Sequence, residues 1–165
     1  MKKLNLTTSI DVFESSEELS QQEQILLQKA EEACNKAYAP YSEFYVGAAV
    51  LLENGEIITG SNQENAAYPS GLCAERTAIF YANAQYPDSP VVSIAIIARN
   101  KNGVLDNPVA PCGACRQVML ETELRFKKAY DILLVGHSSI QKIKSSKDLL
   151  PLSFVGEGLI KKADS

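Results

Sequence analysis

The chain has no tryptophan, a single histidine and no excess of positive charge. The missing tryptophan excludes nothing. The lone histidine, His137, follows a strand end with no motif around it and reads as a loop residue. The charge balance says more: 16 basic side chains against 20 acidic ones leave a formal net charge of −4. A protein that tracks polyphosphate carries a basic patch or a basic excess. None is visible, so a nucleic-acid polymer is a poor candidate and a small, nearly neutral ligand fits better. No stretch approaches the about 20 apolar residues of a membrane span. Leu4 to Phe13 is interrupted by Asn5, Thr7, Thr8, Ser9 and Asp11 and lacks the apolar centre of a secretory signal. The expected compartment is the cytoplasm. Thiols stay reduced there, so the four cysteines, Cys34, Cys73, Cys112 and Cys115, point to metal binding or catalysis rather than disulfides.

What is present is an ordinary globular composition, 45% hydrophobic and 22% charged over 165 residues, enough for one domain with a substantial core. Residues 1–19, rich in Ser, Thr and Glu and without periodicity, read as an N-terminal extension, and 20–165 as a single domain. Ser20 and Glu23 form a capping-box pattern that predicts a helix from about Gln21 to Tyr38. Ile25, Leu26, Lys29, Ala30, Ala33 and Ala37 carry its stripe, with Cys34 nearby and Pro40 as terminator. Val46 to Leu52 reads as a buried strand, Asn54-Gly55 as a type I′ turn, and Glu56 to Gly60 as the antiparallel return. An irregular segment holding Pro69 and Gly71 precedes a helix over Cys73 to Ala84. A central strand over Val91 to Ala98, a loop over Arg99 to Pro111 and a helix over Cys112 to Leu124 follow. Ile132 to Gly136 reads as a third buried strand and Ile140 to Ile143 as a short edge strand. A helical turn near Lys147 to Leu150 leads into a tail with Phe154 and Leu159. Strands alternating with helices predict a mixed α/β sandwich.

Two stretches organise this frame: Cys73-Ala74-Glu75-Arg76 and Pro111-Cys112-Gly113-Ala114-Cys115. Both fall where a loop becomes a helix. Residues three apart share a helix face, so Cys112 and Cys115 can grip one ion. Cys73 and Glu75, two apart, converge only if Cys73 is the N-cap, whose side chain folds back over the first turn. Helix starts favour thiolate, the form that binds zinc. Three sulfurs at about 2.3 Å leave a fourth tetrahedral position open, the catalytic type of zinc site. Zinc with three thiolates carries a net charge of about −1, which would make bound water less acidic. Arg76, on the same face as Cys73, can offset that by donating to sulfur. The alternatives are a structural zinc site or plain buried cysteines with an exposed glutamate. Cys34, a small apolar helix residue on this reading, would close the site if it supplied a fourth ligand.

The two stretches, continued as Cys73-Ala74-Glu75-Arg76 and Pro111-Cys112-Gly113-Ala114-Cys115-Arg116-Gln117-Val118, resemble the zinc-dependent cytidine deaminases of the homotetrameric three-cysteine kind. The resemblance extends to Ala37–Val50, Gly60–Pro69 and Leu149–Phe154, and covers roughly residues 22–160. It implies a three-layer α-β-α sandwich with a mixed, mostly five-stranded sheet. It also implies hydrolytic deamination of cytidine and 2′-deoxycytidine in pyrimidine salvage, with one Zn2+ per subunit on Cys73, Cys112 and Cys115. On this resemblance Glu75 shuttles protons between zinc-activated water and ring N3. Asn62 and Glu64 resemble ribose binders, Phe44 packs beside the nucleoside, and Ala74 offers backbone hydrogen bonds to the pyrimidine edge. Phe154 resembles an aromatic that reaches a neighbouring subunit's pocket, and Tyr68 lies at such a boundary. Three departures stand out: the N-terminal extension, a longer Arg99–Pro111 loop, and Ser61 where a cysteine is common. Competing readings are a deaminase of a related cytosine-containing compound and a non-catalytic zinc-stabilised binding module.

Overall fold

The computed structural model describes residues 1–156, in the order β1 (Asp11–Phe13), α1 (Gln21–Cys34), β2 (Tyr45–Leu52), β3 (Ile57–Ser61), α2 (Ala74–Gln85), β4 (Val91–Asn100), β5 (Gly103–Val104), α3 (Gly113–Phe126), β6 (Asp131–Val135) and β7 (Ile140–Ile143). Strands covered on both faces are apolar at nearly every position, and β2, β4 and β6 meet that condition. Ala48, Val50 and Leu52 join Ala78, Ile79 and Ala82 of α2 and Met119 of α3 in one core cluster. Their neighbours Ala49 and Leu51 turn to the opposite face, against Leu26, Leu27, Ala30 and Cys34 of α1. The molecule is therefore the expected three-layer sandwich, with α1 on one face of the sheet and α2 and α3 on the other.

The sheet has seven strands rather than five, in the order β1-β7-β6-β4-β2-β3, with β5 paired to β4. Both additions come from the segments that depart from the family pattern. The N-terminal extension supplies β1, which pairs antiparallel with β7 through Val12 and Gln141, so Ile140–Ile143 is not an edge strand. The long loop supplies β5, paired to the end of β4 through Arg99 and Val104. The β4–β6 pair is parallel and joined by the α3 crossover, whereas β2 pairs antiparallel with both neighbours.

Two local expectations need correction. Helix α1 starts at the capping box on Ser20 and Glu23 but ends at Cys34, not Tyr38. The Tyr38 N–H donates to the Asn62 carbonyl and its own carbonyl accepts from Glu64 N–H, a pairing that excludes another helical turn. Leu26, Leu27, Ala30, Ala33 and Cys34 are its buried residues, while Ile25 is exposed. The β2–β3 turn is not type I′, which needs two positive φ values. Gly55 has φ +89° but Asn54 does not share it, and Leu52 accepts from Gly55 N–H while donating to Glu56. Leu159 lies outside the described residues.

Close approach at Gly60 seats the helix that carries Cys73 and Glu75. A Cβ there would lie 2.5 Å from the Ala78 amide nitrogen and 2.6 Å from the Ala74 carbonyl oxygen, both backbone atoms of α2. Gly60→Ala should destabilise the protein by about 1–3 kcal/mol through overpacking, read by urea unfolding. A second prediction concerns Glu23, which accepts from Lys142 and from Ser20; Lys142 also pairs with Asp131 at 2.8 Å. Burial works against ionisation of Glu23, but the bonds from Lys142 and Ser20 outweigh it and hold the carboxyl below its ordinary value. A depressed carboxylate contributes stability above its unfolded pKa and loses it as pH falls through the folded one. Wild type should therefore lose stability relative to Glu23→Gln as pH drops below about 4.5, by no more than about 1 kcal/mol for this partly solvated pair. Parallel urea curves at pH 7 and in that acid range measure it.

Candidate active site

Cys73 is the N-cap of α2 and Cys112 the N-cap of α3, so both helices begin at the site. The Cys73 and Cys112 sulfurs stand 3.8 Å apart and those of Cys112 and Cys115 3.5 Å apart. All three lie within 4.8 Å of one another, the one such cluster among the described residues. Cys34 is not part of it: it is buried under α1 and its thiol donates to the Ile97 carbonyl at 3.5 Å. Burial pushes its thiol up to about 11, which keeps it neutral. Among the described residues three such groups, not four, converge.

The electrostatics of the cluster test whether a cation suits it. Arg76 Nη2 donates to Cys73 Sγ at 3.8 Å, as its spacing predicts. A hydrogen bond from Cys115, with help from Arg76 and Cys112 against the cost of burial, brings the Cys73 thiol down to about 5. Cys115 is driven the opposite way, first by donating to that thiolate and then by burial. Without a cation the cluster thus favours one thiolate and resists a second. A soft divalent ion at the centre removes that conflict, because it lets all three sulfurs ionise. The donor set fits zinc.

Glu75, in the first turn of α2, is 5% exposed, and burial raises its carboxyl above the ordinary range, with the Cys73 charge adding to the effect. It lines the same cavity as Cys73, Arg76 and Cys112, a cleft of about 790 Å3. A buried acid tuned upward beside a cluster of thiols is suited to hold and release a proton. Arg76 Nε, buried and without a hydrogen-bond partner, is the site's one unsatisfied side-chain polar atom among the described residues.

Asn62 and Glu64 follow β3 and both line the cavity, on the same side as their spacing predicts. Each is already engaged by the protein. The Asn62 amide donates to the Phe44 carbonyl at 2.9 Å and accepts from Val46 N–H at 2.8 Å. The Glu64 carboxylate accepts from the Ser42 hydroxyl and from the backbone N–H groups of Tyr41 and Ser42. The Ser42 bond leads the set that holds Glu64 below its ordinary value. Phe44 lines the cleft half-buried, placed there after Glu43 takes a left-handed backbone turn with φ 52°. Tyr68 lines it as well, 75% exposed and edge-on to Tyr41 with ring centroids 5.9 Å apart.

Two residues singled out from the sequence stand apart from the cleft. Ala74 is fully buried and Phe154 is 70% exposed; neither lines the cavity of its own chain. The Phe154 carbonyl accepts from Gln117 on α3, and Arg116 donates to the Pro111 and Leu149 carbonyls, so the C-terminal segment rides on the zinc-site helix. Cleft-lining residues the sequence reading missed include Tyr41, Ser42, Val109 and Ala110. Tyr41 and Ser42 lie inside the Ala37–Val50 motif and could have been found there; Val109 and Ala110 carry no local signal.

The sequence matches, over residues 20–130, the family described as the cytidine and deoxycytidylate deaminase zinc-binding region. It is 46% identical to a cytidine deaminase of Halalkalibacterium halodurans, with 82% of this chain and 96% of that one aligned. A probable cytidine deaminase of Dictyostelium discoideum is 36% identical, over 78% of this chain and 80% of the other. Among solved structures, cytidine deaminase from Burkholderia pseudomallei superposes with a TM-score of 0.68 at 41% identity, covering 79% of this chain and 97% of that one. The enzyme from Mycobacterium tuberculosis gives 0.63 at 32% identity, covering 81% and 97%. The fold, the three-sulfur cluster and these matches agree, and the chain belongs to the cytidine and deoxycytidylate deaminase family.

Proposed function

We propose that this protein hydrolyses cytidine and 2′-deoxycytidine to uridine and 2′-deoxyuridine with release of ammonia, as a step of pyrimidine salvage. The observation that carries this reading is a buried glutamate, Glu75, in one cleft with a three-cysteine cluster that has no fourth protein ligand among the described residues. Cys73, Cys112 and Cys115 would hold one zinc, which supplies Lewis acidity for making a nucleophile from water at neutral pH. The rest of the work belongs to the chain. Glu75 takes a proton from the attacking water and delivers it to ring N3 as oxygen adds to C4, then carries the proton of the new C4 hydroxyl to the departing nitrogen as the carbonyl forms. One water is consumed, the C4–N bond breaks and ammonia leaves. Arg76 positions and neutralises the Cys73 sulfur throughout.

At the far end, Glu64 and Asn62 face the ribose and Phe44 lies against the nucleoside. Because Glu64 is anionic and held so by Ser42 and Tyr41, it would repel a phosphorylated sugar and accept bonds from a free hydroxyl. Ala74 contributes through its backbone at the pyrimidine edge. Residues 20–165 form the catalytic domain and 1–19 an accessory segment. The assembly is a homotetramer. Tyr68, Phe80, Tyr81, Leu152 and Phe154 are large exposed apolar groups that call for cover, and Phe154, outside its own cavity, is free to enter a neighbour's. No helix among the described residues is long and apolar enough to cross a membrane; four free thiols, three of them needed as metal ligands, suit the reducing cytoplasm.

Purified protein should contain one zinc per chain and convert cytidine with loss of its ultraviolet absorbance. Glu75→Gln should keep the zinc and lose about 10³-fold or more in kcat; retained activity would exclude this mechanism. Stripping the metal with a chelator should abolish turnover, and zinc should restore it. Light scattering should give the mass of four chains, and Phe154→Ala should raise KM by about ten-fold or loosen the tetramer. A monomer with unchanged KM would exclude the shared-pocket reading.

A further inference from the structure

The long loop between β4 and α3 is tied to β4 and to the β6–β7 turn by backbone hydrogen bonds. Leu105 N–H donates to the Ala98 carbonyl at 3.1 Å, extending the β5 pairing. From the β6–β7 turn, His137 N–H donates to the Leu105 carbonyl at 2.8 Å and Ser138 N–H to the Asp106 carbonyl at 3.0 Å. Between these bonds the loop backbone rests directly on Gly136. A Cβ on Gly136 would lie 2.6 Å from the Asp106 oxygen, 2.6 Å from the Pro108 nitrogen and 2.8 Å from the Asn107 carbonyl carbon. All three are backbone atoms, so no flexible side chain can yield; the loop itself would have to move.

The next two residues, Val109 and Ala110, line the cleft that holds Glu75 and Cys112. They are bracketed by Pro108 and Pro111. Proline fixes its own φ and restricts the residue before it, so the link from the Gly136 contact to the cavity wall is short and stiff. Ala110 is two residues from Cys112, within about 7 Å along an extended chain, which puts this wall beside the sulfur cluster.

We propose that Val109 and Ala110 form a substrate-contacting wall beside the pyrimidine, and that Gly136 is a positioning residue that sets this wall from behind. The proposal rests on the nucleoside reading above and adds to it a remote determinant of affinity. Gly136 touches neither substrate nor metal ligand. It acts by letting two backbones approach more closely than any side chain would allow.

The test compares wild type, Gly136→Ala, Val109→Ala and Pro108→Gly. Each is measured for zinc content, unfolding, kcat and KM with cytidine, and the Kd of the product uridine by calorimetry. Gly136→Ala and Val109→Ala should each raise KM and the uridine Kd by about three- to ten-fold, with zinc content unchanged and kcat within about two-fold. The double variant should be less than additive, because both act on the same wall. Should Gly136→Ala fail to fold, Pro108→Gly loosens the same link from the loop side and should raise KM in the same way. The proposal is overturned if Val109→Ala leaves both constants unchanged. It is equally overturned if a folded, zinc-loaded Gly136→Ala, or Pro108→Gly in its place, does so. Wild type that neither turns over cytidine nor binds uridine would instead sink the nucleoside reading itself.

Discussion

Three sulfurs held within 4.8 Å of one another are the constraint on which this molecule depends. Thiols at that distance resist ionising together, so the fold must bring them there and a cation must keep them charged. The fold does its part by placing two helix N-termini at one point. Helix α3 arrives through the β4–α3–β6 crossover, at the carboxyl end of a parallel pair, where ligand sites of α/β sheets form. Helix α2 arrives from β3 and is pressed to the sheet by the missing side chain at Gly60. Neither helix alone could hold a three-ligand metal site with an open position.

The same placement sorts the protons. A hydrogen bond from Cys115, with Arg76 beside it, favours negative charge on Cys73, while burial disfavours it on Glu75, two residues on. Two acidic groups one helical step apart are thereby pushed in opposite directions. On the proposed reading one becomes a ligand and the other a proton carrier, which is the separation an acid–base site needs. Cys34 shows the contrast. Buried at the end of α1, where desolvation outweighs the pull of Arg99, its thiol moves upward and stays inert.

Much of this was legible in the sequence because it is local. Ser20 with Glu23 announces α1, and Cys73 with Glu75 two apart makes sense only at an N-cap, which is where the structure puts Cys73. What was not legible comes from pairing between distant segments. Tyr38 leaves the helix because residues 62 and 64 offer its backbone better partners. Ile140–Ile143 loses its edge because residues 11–13, which show no periodicity, reach it from the far end of the chain. Val109 enters the cleft because a loop more than 25 residues earlier in sequence than Gly136 lies against that glycine. No spacing rule reports such contacts.

The ribose-facing and the reacting groups of the proposed site are prepared in different ways, and on that reading the difference explains how a small ligand would be oriented. At the polar end the side chains are fixed by the backbone: Asn62 closes on Phe44 and Val46, and Glu64 closes on Tyr41 and Ser42. Sidechain order there is established before any ligand arrives, so binding loses little conformational freedom. At the reacting end the polar groups face the opposite problem, for Glu75 is buried and the Arg76 Nε is left without a partner. An unsatisfied buried donor costs about 1–3 kcal/mol, and it is tolerated beside groups whose charge is to be neutralised. A nucleoside placed with its sugar at the satisfied end brings its base to the unsatisfied one. The reverse placement would set an uncharged, hydroxyl-rich sugar among groups arranged for proton transfer and leave the base against a fixed anion. Orientation therefore follows from where the protein has already met its own hydrogen-bonding needs and where it has not.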